Sequence, residues 1–565
     1  MKKQYTFWLI TAFTIVTFLP FLGETLFNTK GEPREAIVAV SMLQGGNWIL
    51  PEHCGGDIPY KPPFLAWCIA IISSLTGSVN EYTSRMPSAL AMIAMAIAGL
   101  RFYRNRTSGS IAAIMTLITI TSFEVHRAAT NCRVDMVLTA LIVTSLYALY
   151  RHWEQGHKGL PWTAIVLMSC AVLTKGPVGM ILPCLVIGVF RLIKGERFFP
   201  VFLNLFISAI MSCLVPALWY IAAYNQAGQE FLDLAMEENF GRFFGSMSYE
   251  SHVNPVHYNF ITVISGLLPY TLLLLMTLFT IRIRCCRISI SATWQKLRNA
   301  IVSMEPVKLF SMLSIILIFT FYCIPKSKRS VYLLPIYPFL AYFITLLIIN
   351  LINRKSQIIK IYAIIISIIS ILLPVTFYTI RMGLLPELHG SIDTFIIGLA
   401  NHPLSALSRI LILLPLITGI YTLISLAKRQ FGHQAIFKQT LTSTLLLYWS
   451  FSAVYQPAVL NTKSDIVVAR EIETVVPHGE IYSFIDDGLD FMRFYTINFY
   501  LNDRVKMFIR ENPDKGYIIV SEPHSAKLME RYGNSYSFSQ IAHYPHRSCD
   551  LKQQLLLLSF SKNGK

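Results

Sequence analysis

The sequence predicts a polytopic α-helical membrane protein that ends in a small α/β domain, and three observations carry that reading. Of 565 residues, 54% are hydrophobic and 14% charged, with mean hydropathy +0.52, whereas soluble domains carry about a quarter charged residues. Apolar segments long enough to cross about 30 Å of hydrocarbon at about 1.5 Å per helical residue recur along the chain. From Tyr455 onward the pattern breaks into short amphipathic and alternating stretches.

The apolar segments number about thirteen: 5–23, 86–102, 108–125, 134–150, 160–174, 177–193, 200–224, 258–281, 306–324, 330–350, 356–379, 404–427 and 437–454. Pro63 to Gly77 is also apolar, but it opens on a double proline and reaches only about 22 Å as a helix. Charge decides its placement. If it does not cross, Arg101, Arg104 and Arg106, then Arg151 and Lys158, then Arg191, Lys194 and Arg197 all face the cytoplasm. The same holds for Arg282, Arg284, Arg287, Lys296 and Arg298, for Arg354 and Lys355, and for Lys428 and Arg429, as the positive-inside rule requires. Counting 63–77 as a span inverts every one of these, so it is read as a helix lying in the outer interface.

The formal charge of +17 therefore belongs to clusters facing an anionic membrane leaflet, and nucleic acid is excluded as a partner. Lys2 and Lys3 precede an apolar stretch with no small-x-small cleavage site, which predicts a retained first helix and a cytoplasmic N-terminus. The chain divides into a membrane domain, 1–454, with a large first outer loop at 24–85, and an outer C-terminal domain, 455–565. In a bacterium this is a multi-pass protein of the inner membrane with the tail in the periplasm. The tail reads as helix at Asp465–Val476, strand at Ile481–Ile485, helix at Phe491–Leu501, strand at Tyr517–Ser521, helix at Ser525–Tyr532 and strand at Leu555–Phe560.

Chemistry is expected in the outer segments: 24–85, 126–133, the turn at Lys175, 225–257, 325–329 and 380–403. Lys61 in Tyr-Lys-Pro-Pro, Lys175 in Thr-Lys-Gly-Pro, and Lys326, Lys328 and Arg329 in one short loop all break the positive-inside trend. For any one lysine, snorkelling at a helix end is an equal explanation; several from unrelated loops suit a phosphate or pyrophosphate carried on a lipid. Glu32 and Glu35 are spaced to share a helix face behind Pro33. Asp135 enters a span, where a carboxylate is costly enough to indicate a function or a partner, with Arg127 and Arg133 as candidates. Glu238 and Arg242 have the spacing of a helix pair, and His252 with His257 lacks a third zinc ligand. Ten Cys show no metal-ligand spacing, and Cys54 and Cys132 are expected to stay reduced.

Carboxylates and cations at an outer interface permit sugar transfer from a polyprenyl phosphate. Cations stabilise the departing phosphate, and a carboxylate orients or deprotonates the acceptor. No Walker or Rossmann glycine motif is present, so the donor must bring its own energy. No motif calls for a cofactor, and a divalent metal is left open.

At this point the motifs resemble a known family. Gly-Glu-Pro-Arg-Glu-Ala at 31–36, Gly-Asn-Trp-Ile-Leu-Pro at 46–51, Tyr-Lys-Pro-Pro at 60–63 and Arg-Val-Asp-Met at 133–136 come in an order similar to that of the bacterial lipid A aminoarabinose transferases and the protein O-mannosyltransferases. Thr-Lys-Gly-Pro at 174–177, Glu-Asn-Phe-Gly-Arg-Phe at 238–243 and Lys-Ser-Lys-x-x-x-Tyr-x-Leu-Pro from Lys326 continue the likeness. Both groups are membrane glycosyltransferases of the GT-C type. The resemblance covers roughly 1–350 and implies a periplasm-facing site, a polyprenyl-phosphate sugar donor and single-displacement transfer. It places Glu32, Arg34, Lys61, Asp135, Lys326 and Tyr332 on site positions. With Lys175 and Lys328 added from the outer cations, Glu32 and Asp135 are the expected catalytic carboxylates and Arg34, Lys61, Lys175, Lys326, Lys328 and Tyr332 the expected phosphate-binding set.

One departure stands out: relatives open the first motif with Asp-Glu, and here Gly31 precedes Glu32. A lost carboxylate matters less for an acceptor that is already an ionised phosphate than for a hydroxyl. The expected acceptor is lipid A or a related glycolipid. The rivals are a protein O-glycosyltransferase, an oligosaccharide ligase or polymerase, and a lipid-sugar flippase without chemistry, although no pseudo-symmetric halves are evident.

Overall fold

A computed structural model of the chain describes residues 2–59, 61–241, 253–280, 298–384, 391–486 and 492–563. Tyr60, Arg242, His252, Arg282, Arg284, Arg287 and Lys296 lie outside the described residues.

Helices form at all thirteen apolar segments. The first ten of the chain are α1 (Lys2–Phe18), α2 (Pro33–Gly45), α3 (Phe64–Thr76), α4 (Glu81–Arg104), α5 (Gly109–Ile120), α6 (Phe123–Ala129), α7 (Val134–Glu154), α8 (Trp162–Lys175), α9 (Val178–Ile193) and α10 (Phe198–Met236). Among the described residues, seven helices are long and apolar enough to cross a membrane, and nine if each bent pair counts as one span. The bends are 68° between α5 and α6 and 110° between His257–Gly266 and Tyr270–Thr280. By length and composition the uniform count of thirteen is not confirmed. α1, α8 and α9 have 17, 14 and 16 residues, short of the roughly 20 that a straight crossing needs, and His433–Ser450 is diluted by its polar first turns.

Two outer stretches also differ from expectation. α10 runs past residue 224, with a left-handed break at Gly228, and 380–403 contains a helix, Ser391–Asn401.

The first outer loop is built on α2 and α3, which pack through Ala36, Ala39 and Met42 against Leu65, Ala66 and Ile69. Burying each large apolar side chain stabilises by roughly 1.5–3 kcal/mol, which fixes this loop as a small core of its own. α3 has only 13 residues and leaves Ile71 52% and Leu75 83% exposed on its other face, as suits a helix resting on lipid. α4 starts cleanly because Asn80 and Thr83 form a reciprocal capping box.

The tail forms a five-stranded sheet of β1 (Ile481–Phe484), β2 (Val505–Met507), β3 (Lys515–Ser521), β4 (Tyr536–Tyr544) and β5 (Leu555–Lys562) in the order β2-β1-β3-β5-β4. β1 pairs in parallel with β2 and β3, and β5 antiparallel with β3 and β4. Three strands fall where the sequence placed them. β2 is three residues long, and β4 is a polar edge strand, so neither shows a buried alternation that a sequence reading detects. The helix expected at Phe491–Leu501 is Tyr495–Tyr500.

The tail docks on the first outer loop. Phe499 meets Phe27 edge-on at 4.8 Å, and Tyr500 Oη donates to Glu81 at 2.6 Å while accepting from the Phe27 amide at 3.1 Å. Asp503 accepts from Ser41 at 2.7 Å and from the Cys54 amide at 2.8 Å. The loop and the tail therefore lie on one side of the molecule.

Candidate functional site

The first motif sits at the start of α2 and sends its two carboxylates to different partners. Glu32, 5% exposed, is clasped by Arg85 of α4, with Nε at 2.8 Å and Nη2 at 3.0 Å, and takes a third hydrogen bond from the Cys132 amide at 2.8 Å. Burial pushes its pKa up, but the Arg85 charge and these hydrogen bonds outweigh it and hold the carboxyl below its ordinary value. Arg85 also donates to the Leu22 carbonyl at 2.7 Å and to that of Thr25. Glu32 thus ties together the end of the first helix, α2 and α4. Glu35, one turn on, is ion-paired with Lys61. The three-residue spacing does not bring the two carboxylates to one job.

Asp135 enters α7 with its carboxylate 2.5 Å from Lys175 Nζ at the end of α8, and Lys175 in turn lies 4.4 Å over the ring of Tyr332. The expected partners of Asp135 are otherwise engaged: Arg127 holds Glu124 at 2.6 and 3.0 Å, and Arg133 reaches back to Gly31. Gly31 has no left-handed backbone that would require glycine. It is small because a Cβ there would come 1.8 Å from Arg133 Nη2. The guanidinium fills the space that a side chain at 31 would take.

These groups form one electrostatic cluster. Lys61 feels the charges of Glu35, Arg34 and Asp135, and Arg133 feels Arg329, Asp135, Arg34 and Glu35. Arg34, Lys61, Arg133, Lys175 and Arg329 outnumber Glu35 and Asp135 by five to two. Among the described residues, Arg133 and Arg329 make no ion pair, and with both carboxylates already paired the excess suits an anion.

Among the described residues, Lys326 and Lys328, expected in this set, make no ion pair with it. Lys326 is exposed, and the buried Lys328 amine turns back on the Pro325 carbonyl at 2.5 Å. The cation of that loop that reaches the cluster is Arg329. The sequence signal for Arg133 and Arg329 was present, since both are outer cations. What it lacked was the fold that aims them.

Beside the cluster opens a cavity of about 770 Å³ lined by Arg34, Glu35 and Lys61, by Trp219, Glu230, Glu237 and Glu238 at the outer end of α10, and by Arg493 and Arg510 of the tail. His53 also faces it, 6% exposed. Burial and the neighbouring Arg493 and Arg34 outweigh Asp57 and Asp503 and lower its pKa, which keeps the ring neutral near pH 7.

The remaining sequence candidates separate from the site. Glu238 and His257 are described, but their partners Arg242 and His252 are not. Cys54 and Cys132 are free and buried. Among the described residues, the grouping with metal-ligand spacing is Asp465, Cys549 and Asp550 in the tail. Its carboxylates already hold Ser548, the Cys549 amide and Thr496.

A family model described as dolichyl-phosphate-mannose-protein mannosyltransferase matches residues 60–220. That match covers less than a third of the chain.

The chain is also similar to aminoarabinose transferases in sequence and in fold. ArnT from Cupriavidus metallidurans, solved with bound undecaprenyl phosphate, superposes with a TM-score of 0.68 over 97% of both chains at 18% identity, which shows the shared fold. The undecaprenyl phosphate-alpha-4-amino-4-deoxy-L-arabinose arabinosyl transferase 2 of Proteus mirabilis is 24% identical over 337 residues, 58% of this chain and 56% of its own. An uncharacterized protein of Aquifex aeolicus is 26% identical over 345 residues, 60% of this chain and 63% of its own. The matched stretch thus spans less than two thirds of these relatives.

Proposed function

We propose that the protein transfers a sugar from a polyprenyl-phosphate donor to an envelope glycolipid at the outer face of the bacterial inner membrane, with the tail in the periplasm. The observation that carries this is the cluster of five cations around two paired carboxylates, beside a cavity roofed by the first outer loop and the tail. The C1–O bond to the lipid phosphate breaks, and the phosphate leaves with the electron pair. The acceptor oxygen attacks C1 from the opposite face. Lys61, Lys175, Arg133 and Arg329 stabilise the departing phosphate, and Arg34 and Tyr332 line its approach.

The acceptor chemistry follows from the carboxylates. Glu32 is held by Arg85, Glu35 by Lys61 and Asp135 by Lys175, so each is positioned to orient a cation. A phosphate oxygen on a glycolipid such as lipid A is already ionised and needs no base, which favours it over a protein hydroxyl. Glu32 acts as a structural carboxylate and Asp135 as the group that orients Lys175. No cofactor is needed for this displacement.

The test is mass spectrometry of lipid A and envelope glycans from cells with and without the gene, complemented by Lys61→Ala or Asp135→Ala. One sugar mass on the glycolipid is expected to vanish with the gene and to stay at least about 100-fold reduced in both variants at equal membrane abundance. Wild-type product in both variants refutes the assignment.

A further inference from the structure

Part of the cavity lining comes from the C-terminal domain. Arg493, Tyr495, Met507, Ile509 and Arg510 face the same volume as Lys61 and Glu35. The seam between loop and tail is the turn 53–57, in which Gly55 and Gly56 have φ +77° and +106°. A Cβ on Gly55 would lie 2.9 Å from Lys506 Cα, and one on Gly56 2.8 Å from Arg510 Nη1. Two glycines are needed here because the tail backbone and a guanidinium are pressed against them.

The two arginines at this seam are in different states. Arg493 is consumed by Asp57: Nε lies 2.7 Å from Oδ2, Nη2 donates to Oδ1 at 2.9 Å, and the side chain is 9% exposed. Arg510 shares the same carboxylate only at 3.6 Å, makes one hydrogen bond to the Gly55 carbonyl at 3.3 Å, and keeps 46% of its side chain exposed. One negative charge serves two guanidinium groups, so the tail presents a net positive charge at the cavity with hydrogen-bond donors to spare. Glu230, Glu237 and Glu238 line the same cavity, and an anion is drawn away from them toward its cations. Met507 and Ile509 flank it with apolar surface.

We propose that Arg510 is an acceptor-recognition residue: its guanidinium binds an anionic oxygen group, phosphate or carboxylate, on the acceptor, so that the C-terminal domain selects the acceptor while the membrane domain handles the donor. This rests on the transferase reading above, and its test is arranged to fail separately from that reading. The division of labour follows from placement. Among the described residues, the charges that act most strongly on Asp135 are Lys175, Arg329 and Lys61, all of the membrane domain, and Arg510 on the tail is placed to specify a second substrate.

The experiment uses the full chain in lipid nanodiscs, as wild type, Arg510→Gln, Arg510→Lys and the distant tail control Arg531→Gln. Equilibrium binding is measured for a phosphorylated glycolipid, its dephosphorylated counterpart, a water-soluble sugar phosphate and undecaprenyl phosphate. Arg510→Gln is expected to weaken the phosphorylated glycolipid about tenfold or more, and Arg510→Lys less. Undecaprenyl phosphate and the dephosphorylated glycolipid are expected to stay within about twofold, and Arg531→Gln to match wild type throughout. An equal loss for the sugar phosphate places recognition in the anion alone, and a larger loss for the glycolipid places it in the anion on its lipid carrier; both support the role. Unchanged glycolipid affinity in Arg510→Gln overturns it, as does a parallel loss of undecaprenyl phosphate. Failure of the wild type to bind undecaprenyl phosphate counts against the transferase reading and leaves the glycolipid comparison to decide Arg510.

Discussion

Glu32 and Gly31 are adjacent and make opposite demands. Removing one partner of a buried ion pair costs roughly 3–5 kcal/mol because the other charge is stranded. Glu32→Ala, which leaves Arg85 buried beside the Leu22 and Thr25 carbonyls, is therefore expected to lower the melting temperature sharply. Gly31→Ala is different, since its backbone is ordinary and the new methyl meets only the tip of Arg133. It is expected to leave the melting temperature within a few degrees while weakening undecaprenyl phosphate about tenfold by expelling that guanidinium. Equal melting losses in the two variants would contradict this division. Sequence alone showed Glu32, Lys61 and Asp135 as the residues to watch. It did not show that Glu32 is answered by Arg85, 53 positions away, nor that Lys175 and not Arg127 meets Asp135. Those pairings depend on helix packing that no local pattern encodes.

At the level of single elements, the short helix Tyr495–Tyr500 of the tail is held by Asp550, which accepts from the Thr496 amide and hydroxyl at 2.9 Å each. Burial, with the charge of Asp465 next to it, raises the Asp550 pKa to about 7. An acid raised on folding binds more protons folded than unfolded between its ordinary value and the raised one. Stability therefore falls as pH climbs from about 4 to about 7, by about 1.4 kcal/mol per unit at most. Hydrogen exchange of the tail strands in the full chain is expected to quicken over that window, beyond the intrinsic pH effect, and Asp550→Asn to flatten the trend. A tail that grows better protected with rising pH would reverse the assignment. The same region shows where sequence reading stops. β1, β3 and β5 carry buried apolar runs and were legible, whereas β2 and β4 exist because neighbouring strands offer them hydrogen bonds. The membrane segments were legible as apolar stretches, but the bends at 121–122 and 267–269 were not read, although Pro269 in the second is a local breaker of helical hydrogen bonding.

The whole molecule has one constraint that links topology to chemistry. Phe27, Ser41, Cys54 and Glu81 of the first outer loop contact Phe499, Tyr500 and Asp503 of the tail, so both must lie on the same side of the membrane. Between them the chain must then cross an even number of times, which the bent pairs and short helices supply only if 63–77 stays at the interface. The exposed Ile71 and Leu75 on α3 suit that position. On the proposed topology the basic clusters face the cytoplasm on the opposite side. Single cysteines at Lys515 in the tail and at Arg429 between two spans report on the two faces, since both positions are exposed and the described native thiols are buried or half-buried. In intact spheroplasts a membrane-impermeant maleimide is expected to label Lys515→Cys above the wild-type background, and Arg429→Cys only after permeabilisation. Labelling of both, or of Arg429→Cys alone, would move the cation cluster to the nucleotide-rich side of the membrane and remove the reason for a lipid-borne donor.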